Sequence, residues 1–256
     1  MANNNTKNRK AILVTPEVCI GCRACQVSCK SWNQLPGIKT KNTGTYQNPP
    51  DLASAAFNII RYSEVPSQAN PVRWLFVSRR CMHCEDAGCM KICPAPGALY
   101  RTKEGAVAFD RDKCIGCKLC VNACPFDVPR YDEEGKVTKC HLCFDRIDAG
   151  MQPACVKTCP TGALRFGDRA ELISTAKQEG FGTIYGEEDL GGLGSLYAFK
   201  DEPKLYGMKD DPAIPSSVIF WNTVLKPFAV AGLGGVVAAA AIHYLAVGPH
   251  KEEEEV

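Results

Sequence analysis

The chain has 256 residues and a formal net charge of +2. That length fits one or two compact domains, and the near-neutral balance, with Lys and Arg spread along the chain, lacks the basic bias of nucleic-acid binders, so no nucleic-acid partner is expected. Sixteen cysteines are far above ordinary usage and leave three explanations: a disulfide framework, structural zinc or iron–sulfur clusters.

Taken in order, residues 1–10 are polar and read as a disordered N-terminus. The opening MANNNTKNRKAILV has no apolar stretch with a small-residue cleavage site and no twin arginine, so it is not read as an export signal. A chain made in a reducing compartment argues against disulfides, unless it is exported folded on a partner's signal. Residues 11–167 hold all sixteen cysteines in four groups. Between groups one and two, strands are expected at Phe57–Tyr62 and Val72–Val77, with a loop at Asn48-Pro49-Pro50. Residues 94–113 predict a hairpin, Ala98–Arg101 and Ala106–Phe109 around Lys103-Glu104-Gly105. Asp168 is placed to cap a helix over Arg169–Gln178. Residues 168–217, and the Gly-, Pro- and acid-rich stretch from 180 in particular, read as an extended, partner-contacting surface segment.

Residues 218–248 differ in kind. From Phe228 to Val247 there is no Lys, Arg, Asp or Glu, and a helix over those residues would cover about 30 Å, the thickness of a bilayer's hydrocarbon core. Trp221 and Tyr244 near its ends suit membrane interfaces, and its Gly and Ala content suits close helix packing. The competing reading, a buried helix of a soluble core, is disfavoured because a protein built of cysteine loops has little core to cover it. An acidic tail, 249–256, follows.

The chain repeats itself. Cys19-Ile20-Gly21-Cys22 recurs as Cys114-Ile115-Gly116-Cys117, and Cys89-Met90-Lys91-Ile92-Cys93-Pro94 recurs as Cys155-Val156-Lys157-Thr158-Cys159-Pro160. Group one (Cys19, Cys22, Cys25, Cys29) and group three (Cys114, Cys117, Cys120, Cys124) share the C-x2-C-x2-C-x3-C spacing, and group three adds the trailing Pro of bacterial ferredoxins. Group two (Cys81, Cys84, Cys89, Cys93) and group four (Cys140, Cys143, Cys155, Cys159) have longer middle gaps, and both end in Cys-Pro. Cysteines two residues apart let one loop wrap three corners of a cubane cluster, while the fourth reaches a neighbouring cluster. Zinc ribbons need two pairs rather than a triplet and a Cys-Pro, and disulfides between cysteines this dense would staple little. The expected cofactors are therefore four 4Fe–4S clusters, with all sixteen cysteines as iron ligands.

Groups two and three, joined by the predicted hairpin, resemble a complete two-cluster ferredoxin, which leaves groups one and four to pair. The expected sets are Cys81, Cys84, Cys89 and Cys124; Cys114, Cys117, Cys120 and Cys93; Cys19, Cys22, Cys25 and Cys159; and Cys140, Cys143, Cys155 and Cys29. Pairing one with two and three with four is the alternative. The expected fold class is α+β, two ferredoxin-like double-cluster modules plus one C-terminal transmembrane helix.

The order and spacing of the groups resemble the four-cluster iron–sulfur subunits of molybdopterin oxidoreductases. Cys81-Met82-His83-Cys84-Glu85-Asp86, Cys140-His141-Leu142-Cys143, Pro153 to Ala163, and the tail from Asp211-Pro212 through Trp221 to Leu225-Lys226-Pro227 resemble the beta subunit family of respiratory formate dehydrogenases. The resemblance implies electron transfer from a molybdenum or tungsten pterin alpha subunit to a haem-b membrane gamma subunit and quinone. It also implies anchoring in the lipid bilayer of the bacterial inner membrane, with the cluster domain periplasmic and the C-terminus cytoplasmic. The same role in a sulfur-compound reductase, a sulfoxide reductase or a membrane hydrogenase is the alternative.

No P-loop, dinucleotide fingerprint or Ser/His/Asp arrangement is present in the sequence, and Gly191-Gly192-Leu193-Gly194 reads as a flexible turn. No direct small-molecule substrate and no catalytic residue is expected in this chain. His83 and His141 are candidates to donate hydrogen bonds to cluster sulfurs, against a solvent-exposed placement. Lys30, Lys91, Lys118 and Lys157 are candidate counter-charges, against plain solvated lysines. Trp32 is expected to pack on a cluster or a partner. His243, an ionisable group inside the apolar segment, is a candidate contact for haem or quinone, against an ordinary interfacial histidine.

Overall fold

The computed structural model describes residues 9–66 and 72–247. The chain divides into two units, Met1–Ile214 and Pro215–Val256. In the first, β1 (Lys10–Val14) leads through the group-one loop into α1 (Ala24–Trp32), and β2 (Ile59–Val65) pairs with β3 (Arg73–Arg79). Then come α2 (Gly88–Lys91), the hairpin of β4 (Leu99–Arg101) and β5 (Val107–Phe109), α3 (Leu119–Asn122), and the short strands β6 (Arg130–Tyr131) and β7 (Val137–Thr138). Next, α4 (Phe144–Asp148) fills the middle gap of group four and α5 (Ala154–Lys157) carries Cys155. The unit closes with β8 (Leu164–Asp168), α6 (Arg169–Gln178), β9 (Thr183–Tyr185) and β10 (Ser195–Phe199).

A four-stranded sheet in the order β8-β1-β10-β9 backs the cysteine loops. Strand β1 runs antiparallel to β8, with Ile12 opposite Phe166, and parallel to β10, with Val14 opposite Tyr197. Side chains alternate across a strand, and both faces of this sheet are used. Ala11, Leu13, Leu196 and Ala198 pack with Leu172 and Ala176 of α6. Ile12, Val14, Tyr197 and Phe199 point the other way, into a core shared with Cys25, Cys29, Cys81, Cys140 and Cys155. The sheet thus sits as a plate between α6 and the cysteine loops, and a one-residue slip of β1 would exchange the two faces.

Several expectations need correction here. Residues 180–217 are not an extended surface segment. They supply β9 and β10, and β10 is buried at every position. Its Ser-Leu-Tyr-Ala-Phe run is nearly continuously apolar because a central strand covered on both faces has no solvent side to mark with polar residues. The Gly191–Gly194 turn is also structural. It receives the group-two loop through Glu85 N–H to Gly192 O at 2.8 Å, and Gly194 N–H returns to Met82 O at 2.9 Å. Asp168 precedes α6 but makes no side-chain cap; its carboxylate accepts from Lys10 Nζ at 3.1 Å instead. Of the polar N-terminus, residues 1–8 lie outside the described residues, whereas Lys10 opens β1 and Arg9 is buried. The strands expected at Phe57–Tyr62 and Val72–Val77 end further along the chain, as β2 and β3, and the 99–109 hairpin falls within a residue of its predicted arms.

The second unit is α7 (Ser216–Phe220), a π-helical turn over Trp221–Leu225 and α8 (Lys226–Val247). The 22 residues of α8 span about 33 Å at the usual rise. Phe228, Leu233, Val236, Ile242 and Leu245 stand exposed along it, a continuous apolar surface that water does not favour and lipid does. His243 lies within α8. The acidic tail, 249–256, and residue 248 fall outside the described residues.

Candidate metal centre

The two loop types bend by left-handed residues at repeated places. In group one these are Gly21 (φ 65°) and Arg23 (φ 62°), and in group three Gly116 (φ 71°) and Lys118 (φ 62°). Each loop then enters a helix, α1 carrying Cys25 and Cys29 and α3 carrying Cys120. Such turns cost an L-residue about 1 kcal/mol or more and aim successive thiols at one point instead of along a strand. Groups two and four use a different bend, at His83 (φ 49°) and at Leu142 and Cys143 (φ 63° and 52°), before one short turn of helix, α2 or α5, presents Cys89 or Cys155. Helix α1 packs on α5, with Ser28 Oγ donating to Ala154 O at 3.2 Å. Helix α2 packs on α3 so closely that a Cβ on Gly88 would lie 2.4 Å from Ala123 O.

These contacts bring the sixteen cysteines into four quartets, each drawing on two groups. The first is Cys19, Cys22, Cys25 and Cys159, which line one cavity with Val14, Ile60 and Leu164. In the second, burial pushes the Cys29 thiol well up, and Cys140, Cys155 and Cys143 push it further. In the third, Cys84 is raised by burial and then by Cys81, Cys124 and Cys89. In the fourth, Cys120 is raised by burial, with Cys117, Cys93 and Cys114 adding to it. Neighbouring quartets also feel one another: Cys25 feels Cys155, Cys140 feels Cys81, and Cys89 feels Cys120. The quartets therefore lie in series, first to fourth.

The donor set suits a polynuclear thiolate site. No cysteine is disulfide-bonded. Burial, the leading cause each time, pushes Cys25, Cys124 and Cys140 up to about 11 and Cys89 and Cys143 up to about 12. Unaided, these thiols stay protonated at neutral pH, and four of them facing one point ionise together only around a cationic core. Among the described residues, no three His, Cys, Asp or Glu converge as a single-ion site would require. Donors already face the sulfurs: Val137 N–H to Cys114 at 3.4 Å, Leu142 N–H to Cys140 at 3.5 Å, and Tyr131 Oη to Cys120 at 2.9 Å.

The strongest electrostatic features were not singled out in the sequence. Arg80 is fully buried and donates to Cys155 Sγ at 3.1 Å and to Ser78 Oγ. Burial works against its charge, and Cys155, Tyr197, Cys25 and Cys140 outweigh burial. Lys139 is buried too, donating to Cys140 O at 3.0 Å and to Val107 O. The signal was readable: Arg80 directly precedes Cys81 and Lys139 directly precedes Cys140, the same place in two related groups. The lysines expected as counter-charges face elsewhere. Lys30 donates to Ala55 O at 2.9 Å, Lys91 pairs with Asp86 at 2.5 Å, Lys118 lies over the Tyr131 ring at 5.7 Å, and Lys157 is exposed.

The histidines divide. His83 is fully buried, and its Nδ1 accepts from Val107 N–H at 3.0 Å. Burial, with Lys139 and Arg9 nearby, pushes the imidazole well below its ordinary value, so the ring is neutral with its proton on Nε2. That N–H has no protein partner among the described residues. His141 bonds Asn33 Oδ1 through Nε2 at 2.6 Å. Trp32 donates to Asp145 Oδ2 at 2.8 Å under the Arg146 guanidinium, so its ring packs on α4.

The comparisons with known proteins agree with this donor chemistry. Two models described as 4Fe-4S dicluster domains match residues 18–98 and 72–169, and one described as formate dehydrogenase N, transmembrane, matches 214–256. The formate dehydrogenase iron-sulfur subunit of Haemophilus influenzae is 43% identical over 95% of this chain and 82% of its own length. The formate dehydrogenase-O iron-sulfur subunit of Escherichia coli is 41% identical over 96% of this chain and 86% of its own. Formate dehydrogenase 2 subunit beta (cytochrome c-553) of Nitratidesulfovibrio vulgaris is 40% identical over 66% of this chain. Dicluster motifs, a C-terminal apolar helix and identity along nearly the whole length place the chain in the family of formate dehydrogenase iron–sulfur subunits.

Proposed function

We propose that this chain relays electrons through four 4Fe–4S clusters, from a molybdopterin alpha subunit that oxidises formate to a haem-b gamma subunit and quinone, and performs no substrate chemistry itself. The carrying observation is the packing of α1 on α5 and of α2 on α3, which brings the cysteines of groups one and four and of groups two and three together, with neighbouring quartets also coupled through their thiols. It supports the ligand sets Cys19, Cys22, Cys25 and Cys159; Cys29, Cys140, Cys143 and Cys155; Cys81, Cys84, Cys89 and Cys124; and Cys93, Cys114, Cys117 and Cys120. They correspond to two ferredoxin-like modules, groups one with four and two with three.

When bound, such clusters take up and release one electron each. The protein's part is to hold sixteen thiolates, the inner ones in a dry interior, to donate hydrogen bonds to their sulfurs, and to present the two ends of the series to partners. The end quartets hold the exposed cysteines, Cys22 and Cys117. Ile20 and Ile115 at equivalent loop positions, with Val18 and Leu119, form exposed apolar rims beside them, which suits docking of a subunit at each end. Helix α8 anchors the chain in the inner membrane, with the cluster unit periplasmic and the tail cytoplasmic.

The test is a count on complex purified anaerobically in mild detergent. About sixteen iron and sixteen sulfide per chain, with a pterin subunit and a haem subunit co-purifying, is the expected result; about eight of each would leave half the quartets without clusters and end the four-cluster relay. I20D and I115D should each weaken one end by tenfold or more, releasing different subunits at unchanged iron content.

A further inference from the structure

Arg80 and Lys139 are buried cations whose hydrogen bonds go to Cys155 Sγ, Ser78 Oγ, Cys140 O and Val107 O, and neither pairs with a carboxylate among the described residues. Arg9, the third buried cation near them, has Glu85 at 3.2 Å. A buried charge without an opposite charge is strongly disfavoured, so both sites require an anion that the side chains around them supply only as thiolates.

Their placement is crossed. Arg80 belongs to the group-two loop, whose first three cysteines enter the third quartet, yet it reaches Cys155 of the second. Lys139 belongs to the group-four loop, whose first three cysteines enter the second quartet, yet its ammonium donates to Val107 O, and Val107 packs in one buried cluster with Cys89 of the third. Cys155 and Cys89 are themselves equivalent positions, the third cysteines of groups four and two. The arrangement has the approximate two-fold character that duplication of a module would leave.

We propose that Arg80 and Lys139 are reciprocal counter-charges for the two inner clusters, Arg80 stabilising the reduced form at the second quartet and Lys139 at the third. The inference rests on the four-cluster reading above. Burial opposes adding an electron to an already anionic group, and the inner quartets are more buried than the ends. A fixed cation a few ångströms away in a low-dielectric interior offsets that penalty. One electron enters from one neighbouring quartet and leaves to the next with no bond made or broken. The effect is to keep the middle of the series reducible alongside its ends. Arg80 and Lys139 are positioning residues, since neither transfers the electron.

The experiment uses the intact complex carrying R80Q, R80K, K139Q or K139R, with iron counted and midpoint potentials taken by redox-poised electron paramagnetic resonance. R80Q is expected to lower the second quartet's midpoint most, with a smaller drop at the first, whose Cys25 also faces the guanidinium, K139Q to lower a different midpoint, that of the third, and R80K and K139R to restore most of each shift. Iron-replete R80Q and K139Q with the parent's midpoints would overturn the proposal, as would an equal shift of all four or an R80K value as low as that of R80Q. Should R80Q release iron, K139Q against K139R decides: a charge-dependent drop supports the proposal and an unmoved midpoint ends it. Failure of the underlying four-cluster reading would look different, as too little iron or fewer than four titrating centres in the parent complex.

Discussion

The middle of the cysteine series is built on the first three cysteines of groups four and two and its ends on those of groups one and three, and the two loop types sit in different surroundings. All four cysteines of the second quartet are buried, whereas the first and fourth each contain an exposed one, Cys22 and Cys117. The ends carry exposed isoleucines at equivalent positions, and the middle carries buried Arg80 and Lys139, also at equivalent positions. Duplication supplied the ligands in pairs, and packing then gave each pair a separate task. Pairing groups one with four and two with three puts both loops of one type, groups two and four, inward and leaves both of the other type, groups one and three, outward with their apolar rims.

The largest effect that would break this contrast is expected from Cys155→Ala. Iron should fall by about four per chain and formate-to-quinone electron flow should cease, because a linear series has no bypass. Arg80 would lose the sulfur 3.1 Å from its guanidinium, and an uncompensated buried charge costs about 3–5 kcal/mol, so the complex should also unfold at lower temperature. Cys22→Ala, at an exposed end, should abolish one cluster with a much smaller loss of stability. Equal destabilisation by the two variants would remove the distinction between middle and ends.

A second test removes metal instead of ligands. Under a chelator with mild oxidant, iron should leave in two phases. The faster should come from the first and fourth quartets through Cys22 and Cys117, and the slower from the inner pair, whose release requires local opening of the core. Iron quantified against time, with the midpoints of surviving clusters, checks it; a single phase would mean that exposure of one cysteine does not govern access.

The dicluster motifs and the membrane helix were legible in the sequence because both depend on local pattern: spacing for a loop that wraps a cluster, and a long uncharged run for a span. The gathering of cysteines from two groups was only half legible, since the proposed fourth ligands come from loops distant in sequence. β10 was missed for a physical reason. Its Gly-rich approach through Gly191, Gly192 and Gly194 reads as flexible loop until the hydrogen bonds to Met82 and Glu85 show that it braces the group-two bend. Parallel pairing with β1, from the other end of the chain, leaves no local mark either. Arg80 and Lys139 were hidden differently: a basic residue beside a cysteine is ordinary on a surface, and only burial makes it informative.

The inner contact also differs between the two modules. At the residue before the third cysteine, group four has Ala154 and group two has Gly88, where a Cβ would lie 2.4 Å from Ala123 O. Gly88→Ala should therefore push α2 from α3 at about 1–3 kcal/mol, lowering the temperature at which cluster absorbance bleaches by about 2–10 °C. Ala154→Gly, which removes a methyl without a clash, should cost about 1 kcal/mol or less. A thermally silent Gly88→Ala would show that α2 can shift without cost and that the two modules are equally tight.

The smallest effect separates hydrogen bonding from charge as the means of tuning. Tyr131 Oη lies 2.9 Å from Cys120 Sγ in the fourth quartet, and no buried cation among the described residues reaches that quartet as Arg80 reaches the second. A hydroxyl donating to a thiolate favours the reduced form by roughly 1 kcal/mol, which for a one-electron couple is about 40 mV. Tyr131→Phe keeps the ring and its packing and removes only that donor, so one midpoint should fall by about that amount while iron content and the other three stay fixed. The ends would then be tuned by neutral donors that tolerate solvent, and the middle by charges that require its exclusion. A drop in an inner midpoint instead would place Tyr131 on the wrong quartet and undo the order of the series.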